Sequence, residues 1–124
     1  MEITTYFYDT YAFFEIIKGN RNYNKFSSGV AIVTTRLNLM ELYYGLLVKF
    51  NKNIADKYYD ELLKYIIDID DETIKQAMVF RVLHKIKNLS YVDCVGYIIA
   101  KQRNIKFLTG DKEFKDLDNI EFVK

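Results

Sequence analysis

Short runs of β-branched and aromatic residues alternate along this chain with longer segments of helical character, and that alternation limits the fold more than any other feature. Ile3 to Tyr8 reads as a strand; Asp9 or Thr10 can cap a helix over Tyr11 to Lys18, which Gly19-Asn20 closes. Residues 21–29 are polar and read as a loop with room for a helical turn, followed by a short strand over Val30 to Val33. Thr34 and Thr35 offer a cap for a long helix over Arg36 to Phe50, and a second helix is expected over Ile54 to Lys64. Tyr65 to Ile69 reads as a third strand. The acidic cluster Asp68, Asp70, Asp71 and Glu72 suits the positive end of a helix running to Lys87. Ser90, with Asp93 three residues on, resembles a capping box for a helix ending near Arg103. Ile105 to Thr109 is a fourth strand, Lys112 to Lys115 one turn, and Ile120 to Val123 a fifth strand. Strands alternating with helices predict an α/β, three-layer α/β/α architecture: a central parallel sheet of about five short strands with helices on both faces.

Composition narrows the functional classes. At 124 residues the chain is expected to form one domain spanning 1–124. A chain of that size buries roughly two-thirds of its unfolded surface, enough for one sizeable core. With 18 basic and 17 acidic side chains the net charge is +1, which excludes a strongly basic nucleic-acid coat but leaves room for a local basic patch. No apolar run approaches the roughly 18 residues of a membrane span. The first residues, with Glu2, Thr4 and Thr5, lack the pattern of a signal peptide. One cysteine, Cys94, allows neither an internal disulfide nor a Cys-rich zinc site, so a cytoplasmic protein is expected. The 11 Tyr and 9 Phe, without any Trp, are read as core material.

In open parallel sheets, ligands bind beyond the carboxyl ends of the strands. Asp9 follows the first strand and Asp111 follows the fourth, so both fall on that edge. Asp93 stands in the first turn of its helix, and Glu41 shares a helical face with Leu37, Tyr44 and Val48. A glutamate in an apolar row needs a partner, such as a metal ion or a basic neighbour. Each acid also has a purely structural reading: Asp9 as a helix cap, Asp93 as the closing member of a capping box, Asp111 as a turn residue after Gly110, Glu41 as a semi-exposed helix former.

Four segments, Tyr8-Asp9-Thr10, Glu41-Leu42-Tyr43-Tyr44-Gly45, Ser90-Tyr91-Val92-Asp93 and Leu108-Thr109-Gly110-Asp111-Lys112-Glu113-Phe114, together resemble the ordered signature of PIN-domain ribonucleases. The nearest subgroup is the VapC-like toxins of prokaryotic toxin–antitoxin pairs. The resemblance implies a PIN-like fold and a metal-dependent endoribonuclease with Asp9, Glu41, Asp93 and Asp111 as catalytic and metal-binding acids for Mg²⁺ or Mn²⁺. It further implies products with 5′-phosphate and 3′-hydroxyl ends, a small antitoxin partner and a homodimer. Thr109 matches a supporting hydroxyl position; Thr10 is a second supporting residue and Asp116 a candidate fifth acid. Gly45, in a helix at a cost of about 1 kcal/mol relative to Ala, fits a close backbone approach.

The chemistry suits those residues. Phosphodiester hydrolysis needs an activated water and compensation of charge growing on oxygen, and hard divalent cations supply both through oxygen ligands. Two carboxylates about 4 Å apart repel by roughly 4 kcal/mol at an effective dielectric of about 20. An ion-free cluster of this kind therefore raises the pKa of at least one member. RNA also requires cations beside the acids, and Arg36, Lys112 and Lys115 are the candidates, with Lys18, Arg21 and Lys25 extending the patch.

Other features carry less. Asp68, Asp70 and Glu72 imitate the start of a calcium loop, but Thr73 and Val79 occupy its glycine and final glutamate positions. His84 is isolated, Cys94 is expected to be buried and inert, and no glycine-rich phosphate loop is present. The competing functional readings are a PIN-type RNA-processing nuclease without an antitoxin, a receiver-like α/β module, and a catalytically silent binding module that uses the Tyr-rich helices. A receiver has an acidic pair after its first strand, whereas Asp9 stands between Tyr8 and Thr10.

Overall fold

The computed structural model describes residues 2–124. Four strands, β1 (Thr5–Tyr8), β2 (Ala31–Val33), β3 (Lys106–Thr109) and β4 (Ile120–Phe122), form a wholly parallel sheet in the order β2-β1-β3-β4. Five helices connect them: α1 (Thr10–Lys18), α2 (Arg36–Lys49), α3 (Lys52–Leu62), α4 (Asp71–Leu83) and α5 (Tyr91–Gln102).

The alternation of side chains along the two central strands sorts the helices into layers. Phe7 and Phe107 point to one face, where they join Ala77 of α4 and Cys94, Tyr97 and Ala100 of α5. Tyr8 and Leu108 point to the other, against Ala12 and Phe13 of α1, Leu42 and Leu46 of α2 and Ala55 of α3. The aromatic bias is partly explained by this core: Phe7 stacks on Phe107, which also meets Phe114. Tyr8 and Tyr23 are fully buried, and each hydroxyl donates to a main-chain carbonyl, that of Phe26 and of Val123 respectively.

The expected strand at Tyr65 to Ile69 is not part of the sheet, which has four strands rather than five. That segment makes a single parallel bridge, Thr34 to Ile66, held by the Thr34 N–H on the Tyr65 carbonyl and the Ile67 N–H on the Thr34 carbonyl. Its length is restricted from both sides: Leu63–Tyr65 form a 3₁₀ turn, and Asp70 already caps α4. Its neighbour β2 is only three residues long, because the chain enters α2 at Thr35. The polar loop after α1 contains a 3₁₀ segment, Arg21–Phe26, whose Tyr23 and Phe26 are buried.

The face expected to bury Glu41 is also different. Asn38, Leu39, Leu42 and Leu46 form the inward side of α2, while Tyr44 and Val48 are each 71 % exposed. Gly45 allows α1 and α2 to approach closely: a Cβ there would lie 2.8 Å from the Phe14 ring. Among the described residues, no helix is long and apolar enough to cross a membrane.

Candidate active site

The sheet order places a topological switch between β1 and β3: the chain leaves β1 for β2 on one side, and β3 lies on the other. Such a switch opens a crevice at the carboxyl ends of the strands. Asp9 and Asp111 emerge there, and a cavity of about 330 Å³ is lined by Asp9, Thr10, Tyr11, Phe14, Glu15, Glu41, Gly45, Asp93 and Asp111. The four acids singled out in the sequence therefore share one cavity, although they come from four separate segments.

Each acid is held by the local structure that carries it. Asp9 is 3 % exposed and caps α1, one carboxylate oxygen accepting from the Thr10 N–H at 2.9 Å. Its other oxygen accepts from the Thr109 hydroxyl at 2.8 Å, and Thr109 in turn accepts from the Asp111 N–H at 3.1 Å. Asp111 caps the short 3₁₀ turn Lys112–Phe114 through the Glu113 N–H at 3.0 Å. Asp93 closes the capping box of α5: its Oδ2 accepts from the Ser90 N–H at 2.8 Å, and its own N–H donates to Ser90 Oγ at 3.0 Å. Glu41 is reached by the Thr10 hydroxyl, which donates to Oε1 at 2.7 Å.

These caps satisfy hydrogen bonding but leave the charge uncompensated. Among the described residues, the ion pairs join Lys18 to Glu15, Lys52 to Asp56, Lys87 to Asp116 and Lys101 to Asp118, and none involves Asp9, Glu41, Asp93 or Asp111. Burial first, and then the Asp93 charge, push the Asp9 carboxyl well above the usual range, with Glu41 adding to the rise against the opposing bonds from Thr109 and Thr10. Burial also raises Asp93, to about 6, with Glu41 and Asp111 contributing against the bonds from Ser90. Burial raises Glu41, and the Thr10 hydroxyl only partly offsets it.

All the donors at hand are carboxylate and hydroxyl oxygens, the set that a hard divalent cation prefers. Among the described residues, no three His, Cys, Asp or Glu side chains are drawn together as ligands of one ion.

The other sequence candidates fall elsewhere. Thr10 and Thr109 belong to the site through the bonds above. Asp116 lies outside the cavity, its carboxylate paired with Lys87 at 2.7 Å. Arg36 borders a different hollow, beside Leu37 and Ile66 to Ile69. Lys112 and Lys115 are exposed beyond Asp111, with Lys115 over the Phe122 ring. Cys94 is fully buried, and burial pushes its thiol up to about 11, consistent with an inert role. His84 rests on Phe80, its Nδ1 against the Phe80 carbonyl at 3.0 Å.

Two features were not read from the sequence. Glu15 also lines the cavity; burial opposes its charge, but bonds from Asn20 and Lys18 prevail and hold its carboxyl below the usual range. Its place on α1, within two turns of Asp9, is the only sequence signal for it. Asn38, a polar residue on the inward face of α2, forms part of the support for Thr10.

Comparisons with known proteins bear on the family and the fold. A model of the PIN domain family matches residues 6–120. No match is found among curated protein sequences. Solved structures superpose over almost the whole chain. VapC20 of Mycobacterium tuberculosis, described as a sarcin–ricin-loop-cleaving toxin, has a TM-score of 0.81 at 16% identity, covering 96% of this chain and 99% of its own. VapBC2 of Rickettsia felis, bound to a DNA fragment from its promoter, gives 0.72 at 22% identity, with 96% and 97% covered. FitAcB of Neisseria gonorrhoeae gives 0.67 at 17% identity, with 94% and 96% covered. At these identities the superpositions establish a fold shared with VapC toxins, and the family match establishes membership: the chain belongs to the PIN domain family.

Proposed function

We propose that this protein is a metal-dependent endoribonuclease and the toxin of a VapBC-like toxin–antitoxin pair. The observation that carries the proposal is the joint lining of one switch-point cavity by Asp9, Glu41, Asp93 and Asp111, with no cationic partner among the described residues. Those four carboxylates would hold Mg²⁺ or Mn²⁺. When bound, the ion supplies Lewis acidity toward a phosphoryl oxygen and lowers the pKa of a coordinated water.

The chain's own residues do the remainder. Thr10 and Thr109 orient the carboxylates of Glu41 and Asp9 by hydrogen bonds at 2.7 and 2.8 Å. Asp93, anchored through Oδ2 by the Ser90 N–H at 2.8 Å, lines the same cavity. Lys112 and Lys115, exposed just past Asp111, are placed to hold flanking phosphates of an RNA strand.

Protein partners are supported by exposed apolar side chains. On α2 and just after it these are Met40, Tyr44, Leu47, Val48 and Phe50; on and after α4 they are Val79, Val82, Leu83 and Ile86. Two such faces, on opposite layers, are what an antitoxin and a second copy of the chain would cover. VapBC toxin–antitoxin complexes among the structural relatives support the antitoxin.

Purified protein and an identically prepared Asp93→Asn variant should be incubated with a panel of tRNA and single-stranded RNA in EDTA, Mg²⁺ or Mn²⁺. The expected outcome is cleavage by the native protein in either metal, none in EDTA, and a loss of about a hundredfold or more in the variant. Cleavage that is indifferent to EDTA, or equal in both proteins, would contradict the proposal.

A further inference from the structure

Asn38 is 1 % exposed, in the first turn of a helix whose inward neighbours are leucines. A carboxamide buried to this degree must have its donors and acceptor met by the protein. Its main-chain N–H is met by Thr35 Oγ1 at 3.2 Å, the helix cap. Its side chain spans the gap between Thr35 and Thr10: Oδ1 accepts from the Thr35 hydroxyl at 2.7 Å, and Nδ2 donates to Thr10 Oγ1 at 3.2 Å.

The direction of this chain of bonds is determined. Thr35 is fully buried, and its oxygen already accepts from the Asn38 N–H, so its hydroxyl proton needs an acceptor; only the Oδ1 end of the carboxamide provides one. Nδ2 must then face Thr10. Because Thr10 Oγ1 accepts that N–H, its single proton points elsewhere. The Asn38 carbonyl lies at 3.5 Å, but Glu41 Oε1 lies much nearer, at 2.7 Å.

We propose that Asn38 is a positioning residue for the active site: it sets the Thr10 hydroxyl as a donor, and that donor fixes the Glu41 carboxylate in the cavity. The proposal rests on the reading of Glu41 as a cation ligand. It makes Asn38 to Glu41 the counterpart of the Asp111–Thr109–Asp9 chain on the other wall, where a backbone N–H performs the same service for Thr109. Partners that orient metal ligands typically contribute about 10–100-fold in metal affinity.

The test is a double-mutant cycle read by calorimetric Mn²⁺ titration, with the melting temperature of each metal-free protein recorded alongside. Asn38→Ala is expected to weaken Mn²⁺ binding by about tenfold. Thr10→Val should weaken it to the same degree, Thr10→Ser should restore it, and Asn38→Ala added to Thr10→Val should change it by less than about twofold. A merely structural asparagine would lower the melting temperature in every background and give independent, multiplicative losses of affinity. Should Asn38→Ala not fold, Thr35→Val/Asn38→Leu replaces both buried partners with apolar groups of similar shape, and the same comparison applies. Native Mn²⁺ affinity in Asn38→Ala, or equal losses in the Thr10 and Thr10→Val backgrounds, would overturn the proposal while leaving the metal site standing. Absence of Mn²⁺ binding by the native protein would overturn the metal site and the proposal with it.

Discussion

Asp9, Asp93 and Asp111 each cap a helix or turn, and each lines the cavity. The structural readings of these acids hold, and the same caps bring their carboxylates to one cavity. A capping carboxylate stands at the end of an element, and in a parallel α/β sheet the element ends face the crevice. Asn38 was not legible for the opposite reason: a polar residue near a helix start resembles surface or capping material until its neighbours in space are known. The cost of the clustered charge is visible in pH dependence. A carboxyl raised in the folded state stabilises the fold when protonated, fully below its ordinary value of 3.8, and that contribution is lost as pH rises through about 6 for Asp93. The carboxamide introduced by Asp93→Asn does not ionise, so this variant is expected to be more stable than the native protein at pH 7 in EDTA, with the difference vanishing near the ordinary carboxyl value of 3.8. Urea melts at the two pH values check this; a variant less stable at pH 7 would contradict the repulsion described here.

At the scale of elements, the caps and the apolar spacing were strong guides. Thr35 and Ser90 cap helices, as their side chains suggested, and Asp70, from the acidic cluster expected at the start of α4, caps that helix. The apolar run Tyr65 to Ile69 was misleading, because five residues suited to a strand are shortened by a 3₁₀ turn before them and a cap after them. Tyr44 and Val48 misled in another way: helical spacing identifies a face, but α2 buries a different one. Gly110 sits between β3 and the Asp111 cap, where a Cβ would lie 2.3 Å from the Val123 carbonyl oxygen and 2.4 Å from the Tyr11 ring. The carbonyl belongs to the main chain and cannot step aside as a flexible side chain would. Gly110→Ala is therefore expected to destabilise the protein by about 2–3 kcal/mol and to displace Asp111. Chemical denaturation measures the first effect, and a loss of less than about 0.5 kcal/mol would show that the loop adapts freely.

At the scale of the molecule, the α/β class and the parallel sheet followed from the order of the segments. The four acids were legible in the sequence, but their shared cavity became visible only with the strand order, because the sequence does not say which strands lie beside β1. The order β2-β1-β3-β4 puts Asp9 and Thr109 on adjacent strand ends and opens the crevice between them. Glu41 and Asp93 reach it from helices on opposite faces of the sheet, α2 with one core and α5 with the other. Four carboxylates from four segments thus form a shared negative cavity, and the central claim is that they act as one cation site. The most direct measurement is anomalous diffraction at the manganese edge from crystals of the native protein soaked in millimolar Mn²⁺. The account predicts an anomalous peak in the cavity, within coordination distance of Asp9 and Asp93. A fully exchanged crystal with no peak in that cavity, or with its manganese bound only elsewhere, would contradict it.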